Sequence, residues 1–194
     1  GLETEFVVDV GSYADTRQGA LTQTGNPLDI SLNGTGWLSY KTAEGQIAYG
    51  RDGRFALSPD GELQTLSGAL VLDGGGGPIT LPPDAGEISI STDGTISSSA
   101  GPLAQIGVFD LPSIQSYNRL GAGMFAPPKG VASDAVPAQT TEVVQGSLET
   151  SNVQPLVEVT RLMDIQKAYD RATTLIDNED QLLRDALRRL GRMG

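Results

Sequence analysis

The side chains that most often carry chemistry are missing here: the 194 residues include no histidine and no cysteine. Without cysteine there is no disulfide, thiol nucleophile or thiolate zinc site; without histidine the commonest general base and metal ligand are gone. Carboxylates remain. Asp9, Asp15 and Asp29 are candidates for a pair of the kind that hydrolyses glycosidic bonds. Yet the chain has 24 Asp and Glu, and nothing in their spacing picks two of them out. Gly74–Gly77 is a four-glycine run, but a phosphate loop needs a following Lys and Ser/Thr at the start of a helix. Pro78-Ile79-Thr80-Leu81 reads instead as a strand, which makes the run a loop. Asp60-Gly61-Glu62 lacks calcium-loop spacing and reads as a hairpin turn. Trp37 with Tyr40 offers a sugar platform on paper. Trp37-Leu38-Ser39-Tyr40 reads more simply as a strand alternating inward and outward. The expectation is no catalytic residue, no metal ligand and no cofactor.

The elements that would position any site fall into two unlike parts. Between Leu28 and Leu111, short runs rich in β-branched and aromatic residues alternate with turn pairs. Asp52-Gly53, Asp60-Gly61, Ser67-Gly68, Asp73-Gly74 and Asp93-Gly94 all read as hairpin signals. Close, regular turns predict an antiparallel sandwich or barrel-like domain. Ile88 and Ile90 alternate with Glu87, Ser89 and Ser91, as in a strand with one buried face. Trp37, Phe55, Phe109 and Phe125 are the expected core anchors. Pro127–Gln139 reads as an extended linker or loop, and Thr141–Leu148 as one further strand.

After Ser151 the composition reverses. Before that point lie 23 of the 25 glycines and ten of the 11 prolines; between Pro155 and Leu190 there is no glycine and no further proline. Ser151 and Asn152 suit a helix cap and Pro155 a first turn. Leu162, Tyr169, Ile176, Leu183 and Leu190 stand seven residues apart, and Val159 and Leu187 join the same seam. A strict seven-residue apolar repeat asks for a partner helix along its length. Thirty-six residues make about 54 Å of helix, long enough to overhang a domain of this size, so the seam is expected to pack between molecules. The mainly β fold thus carries a long C-terminal amphipathic helix. Its parts are a connecting segment (1–27), a β-domain (28–126), a linker and return strand (127–150) and an assembly helix (151–194).

The net charge of −11 lies entirely in residues 1–150, with six Lys/Arg against 17 Asp/Glu, while residues 151–194 hold seven of each. The acidic part should repel nucleic acid and anionic membrane. No apolar run reaches the length of a membrane span, and the chain starts at Gly1 with no signal-peptide pattern.

Five stretches resemble one family in its own order. Gly25-Asn26-Pro27-Leu28-Asp29-Ile30-Ser31-Leu32-Asn33-Gly34-Thr35-Gly36-Trp37 resembles the "TGNPLDxAIxGxGFF" segment of flagellar rod and hook proteins. Tyr49-Gly50-Arg51-Asp52-Gly53-Arg54-Phe55 is similar to their "YTRDGxF", and Asp60-Gly61-Glu62-Leu63 to the following "xxGxLV". Gln145 to Val153 resembles "QGxLExSNV", and Asp164 to Asp170 resembles "xxQRAYE". Within the family, the short chain and the closure of the β-region at Gly121-Ala122-Gly123-Met124-Phe125 point to a proximal-rod subunit, with a distal-rod subunit next. The hook protein carries a further large domain.

The resemblance implies a structural, non-catalytic subunit. Its terminal helices would form the inner tube of a helical filament crossing the periplasm, with the β-domain outside, and would pass torque from rotor to hook. It implies export by the flagellar type III apparatus without a cleaved signal. The implied partners are further copies of the chain and adjacent rod and export-gate proteins, with no nucleic acid and no membrane insertion. It also implies a preceding N-terminal helix that these residues do not contain, so the sequence is expected to be a piece of a longer chain. The competing expectations are a β-sandwich binding module or adhesin on a helical stalk, and a carboxylate-dependent glycosidase.

Overall fold

A computed structural model describes residues 13–153 and 155–190, without the side chains of Pro155, Asp177, Asp180 and 182–190. β1 (Leu21–Gln23) leads into β2 (Ile30–Asn33), β3 (Trp37–Lys41), β4 (Ile47–Gly50) and β5 (Phe55–Leu57). Then come β6 (Leu63–Thr65), β7 (Leu70–Val71), β8 (Ser89–Ile90), β9 (Thr95–Ser98), β10 (Gly101–Gln105) and β11 (Val108–Asp110). Three two-residue strands follow, β12 (Asn118–Arg119), β13 (Phe125–Ala126) and β14 (Val136–Pro137). β15 (Glu142–Gln145), β16 (Ser147–Glu149) and α1 (Pro155–Leu190) complete the described chain. Contacts divide it into two compact units, with the boundary between Asn152 and Val153.

The strand pairs are antiparallel. The largest sheet runs β12-β13-β4-β3-β7-β6-β5, with β11 joining β3 to β14. β8, β9 and β10 form a three-stranded sheet; β2–β15 and β1–β16 are two-stranded. The mainly β fold with one long helix is as expected, and the sheets do not close into a barrel.

Most of the glycine turns form where the sequence places them. Gly61 (φ 79°) turns β5 into β6, and Gly94 (φ 82°) turns β8 into β9, a left-handed conformation that glycine adopts cheaply. Asp52-Gly53 is different. β4 pairs with β3 and β13, and β5 with β6, so no hairpin joins β4 to β5. A Cβ on Gly53 would lie 1.9 Å from the Ile30 carbonyl oxygen. This glycine is required for close backbone approach, and its own carbonyl accepts the Ile30 N–H at 2.9 Å.

The expectation that β3 alternates between core and water is overturned. Trp37, Leu38, Ser39 and Tyr40 are all buried, because the strand has a core on each side. Leu38 and Tyr40 pack with Ile30, Leu32, Phe55 and Val143. Trp37 packs with Tyr49, Leu111, Ile114 and Tyr117, and half-buried Phe109 and Phe125 close that second cluster. Trp37 meets Phe125 edge-on with ring centres 5.5 Å apart, and Tyr49 meets Phe109 the same way at 5.9 Å, a favoured aromatic geometry. The Ser133 and Tyr49 hydroxyls share a hydrogen bond and Asp134 accepts one from Tyr117, pinning the stretch before β14 to the second cluster. The segment 141–148 holds β15 and the start of β16 rather than one strand, broken at Gly146 (φ 71°).

Candidate assembly surface

α1 forms because nothing within it opposes a helix. Its 36 residues contain proline only at the first position and no glycine, and Glu158 lies in the first turn, where an acidic side chain complements the dipole. Arg161 reaches Glu158 one turn back at 2.8 Å, and the Thr160, Thr173 and Thr174 hydroxyls donate to carbonyls four residues earlier. The described side chains of the apolar seam are exposed. Leu162 is 64% exposed, Tyr169 72%, Ile176 65% and Val159 48%. Ile165 and Leu175 beside them are as open. Leu183, Leu187 and Leu190 continue the spacing on helical backbone, but their side chains lie outside the described set. Covering one large apolar side chain is worth roughly 1.5–3 kcal/mol, so a partner laid along this stripe would be held by apolar burial.

Just before the helix, the family-like segments converge. Gln145 is held by its whole amide: its Oε1 accepts the Ile90 N–H at 3.0 Å, and its Nε2 donates to Pro27 and Ile88 carbonyls at 2.9 Å each. Gly146 donates to the Asp29 carbonyl and accepts from Thr24 and Gly25. The Asp29 carboxylate takes hydrogen bonds from Thr24 and Asn26. Glu149 pairs with Arg51 at 2.7 Å, and Asn152 donates to the Asp15 and Arg17 carbonyls at 3.2 and 2.8 Å. Asp15 and Asp29 are expected from sequence as candidate carboxylates and Asn152 as a helix cap, whereas Arg51, Gln145, Gly146 and Glu149 stand there only as motif letters. Their types were the available signal: charged and amide residues in motifs far apart along the chain meet here as mutual partners.

An open cleft of about 740 Å³ lies at this corner, lined in part by Arg17, Arg51, Arg54 and Trp37. Each guanidinium already holds a carboxylate: Arg17 with Asp15, Arg51 with Glu149 and Arg54 with Asp52. Hydrogen bonds from Arg17 bring Asp15 down to about 2, so it is a poor proton donor near neutrality. Of the three candidate carboxylates, Asp15 and Asp29 are each bound to their own neighbours, and Asp9 lies outside the described residues. The glycine run is a loop closed by Asp73, whose Oδ1 accepts from Gly75 and Gly77 at 2.8 Å each. Trp37 is 7% exposed, so its ring is not free to serve as a sugar platform. Among the described residues, no group of His, Cys, Asp and Glu is arranged to hold a metal ion, and no helix is long and apolar enough to cross a membrane.

Comparison with known proteins gives this arrangement a context. Residues 31–98 match the flagellar hook protein FlgE/F/G D1 domain, and residues 144–189 match the flagellar basal body rod FlgEFG protein C-terminal region. The flagellar basal-body rod protein FlgF of Caulobacter vibrioides is 37% identical over 189 residues, spanning 97% of this chain and 76% of that protein. The chain belongs to the flagellar basal-body rod protein family. FlgF of Rhizobium meliloti is 34% identical over 189 residues, spanning 97% of this chain and 78% of that protein. FlgG of Agrobacterium fabrum is 31% identical over 192 residues, spanning 94% and 70%. The fit to FlgF first and FlgG second is the order expected from the short β-region. The adhesin reading finds no support among these rod-family matches.

Proposed function

We propose that this chain is a structural subunit of the flagellar basal-body rod and polymerises through α1. The observation that carries the reading is the exposed heptad stripe on a helix of a rod-family chain. Val159, Leu162, Tyr169, Ile176, Leu183, Leu187 and Leu190 pack against helices of neighbouring subunits and of further copies. The partners are adjacent rod and export-gate proteins. The helices build the inner tube of a periplasmic drive shaft that carries torque to the hook, and the acidic β-domain stands outside it. The subunit performs no catalysis and reaches its place through the flagellar export apparatus without a cleaved signal.

The test is Ile176→Asp in the full-length gene. The substitution forfeits roughly 1.5–3 kcal/mol of apolar burial and adds the several-kcal/mol cost of desolvating an unpaired carboxylate. Rod assembly and swimming should be lost while the thermal transition of the β-domain stays where it was. Normal swimming in this variant would contradict the proposal.

A further inference from the structure

Arg51–Glu149 differs in kind from every other ion pair among the described residues. The other three join residues two or three apart in sequence and lie at the surface. Arg51 and Glu149 are 98 residues apart, with side chains 13% and 11% exposed. Both groups are well occupied. Glu149 accepts the Arg51 Nε–H on one oxygen and the Gly19 N–H at 2.8 Å on the other. The remaining Arg51 nitrogens donate to the Gly36 and Leu32 carbonyls, and its Cζ lies 5.9 Å from the centre of the Trp37 ring. One guanidinium and one carboxylate therefore tie together the strap before β1, the end of β2, the turn into β3 and the last residue of β16.

An ion pair largely withdrawn from water is a poor way to gain stability, because a well-packed apolar pair of the same volume often does as well or better. What it supplies is direction: each donor meets one acceptor in one alignment. The neighbouring ribbon needs such a device. β1 is three residues long and exposed throughout, and a strand with no buried face specifies its register only weakly. β1 nonetheless pairs with β16 in one register, Leu21 opposite Glu149 and Gln23 opposite Ser147. Beyond it the Thr150 N–H donates to the Ala20 carbonyl and Asn152 donates to two carbonyls of the strap. Gly19 fits against this seam only because it has no side chain: a Cβ there would lie 1.8 Å from the Thr150 carbonyl oxygen.

We infer that Arg51 and Glu149 are positioning residues for assembly: their partly buried, long-range pair sets the register of β1 on β16 and so fixes where Asn152, the last residue of the β-domain unit, is held. The inference rests on the rod reading. Its test is Arg51→Met/Glu149→Leu, which removes both charges together and leaves no buried ion unpaired. The midpoint of thermal unfolding should stay within about 5 °C of the parent, in keeping with the near-neutral effect of such replacements. Amide hydrogen exchange at Gly19–Gln23 and Thr150 should accelerate at least about tenfold, the signature of local opening. In the full-length protein, swimming should fall to background. Gly19→Ala, which disturbs the same seam while leaving both charges in place, should reproduce the loss of swimming and decides the matter if the double variant does not fold. Unchanged exchange at those amides, or normal swimming in Gly19→Ala, overturns the positioning role. Ile176→Asp is run alongside: if it stops swimming while the Arg51/Glu149 and Gly19 variants swim, the positioning role alone is wrong, and if all of them swim, the rod reading falls with it.

Discussion

Gly53 shows how a residue can be read correctly as special and wrongly as to why. Asp-Gly between two β-runs is a turn signal, yet here glycine is needed because the Ile30 carbonyl occupies the place of its side chain. That contact joins residues 23 apart in sequence, and no local pattern encodes it. Tyr40 departs from simple alternation for a similar reason. An alternating strand anchored by Trp37 would turn Tyr40 to water, but the cover over that face comes from Ile30, Leu32, Phe55 and Val143, the last of them far along the chain. Tyr40 is fully buried and donates its hydroxyl to the Asp52 carbonyl at 2.9 Å. Burial raises its phenol well above the usual 10, the Asp52 charge adds to this and Arg51 opposes it. A phenol that stays protonated in the fold but ionises near 10 when unfolded contributes stability that is full below that pH and is lost as pH rises above it. Folding stability should therefore decline above pH 10. Tyr40→Phe should cost about 1 kcal/mol at neutral pH, from the lost hydrogen bond, and should flatten the alkaline decline in urea titrations at successive pH values. The part that remains belongs to Tyr117, whose phenol burial also raises.

Elements with strong local signals were legible, and elements made by distant pairing were not. The hairpins at Gly61 and Gly94 follow from their turn residues, and α1 follows from its spacing and its lack of glycine. β12 and β14 are two residues each, too short for any alternation; they exist because β13 and β11 present them with a free edge. The joint between β15 and the sheet of β8 was also hidden. It is made by the Val143 N–H donating to the Thr92 carbonyl, together with the side chain of Gln145, which satisfies the Ile90 N–H and two carbonyls. Gln145→Ala should strand these groups and destabilise the domain by roughly 1–3 kcal/mol, lowering the melting temperature by about 2–4 °C per kcal/mol for a chain of this size. Glu142→Ala on the same strand, with an exposed side chain and one long hydrogen bond to Asn33 at 3.4 Å, should barely move it. Calorimetry of the two variants beside the parent separates these outcomes.

At the scale of the whole molecule, the sequence announces two parts, and the contacts divide there too, after Asn152. The candidate surface was legible in part. The stripe could be read from spacing, because a heptad repeat is local; what covers it could not, because no local pattern specifies a partner. Charge favours association through this part, since residues 151–194 balance seven basic against seven acidic groups while the rest carries −11. A chain ending at Asn152 should keep the thermal transition and buried Trp37 fluorescence of the parent and sediment as a monomer at all concentrations. The 194-residue chain should self-associate as concentration rises. Equal sedimentation of the two would remove α1 as the source of association. Within the β-domain, β3 has a last consequence. The two hydrophobic clusters share that strand, one lying against each of its faces, and neither has a wall of its own on that side. Loosening either one strips the other, so the domain has no internal plane along which it can yield by halves: it melts as one cooperative body or not at all.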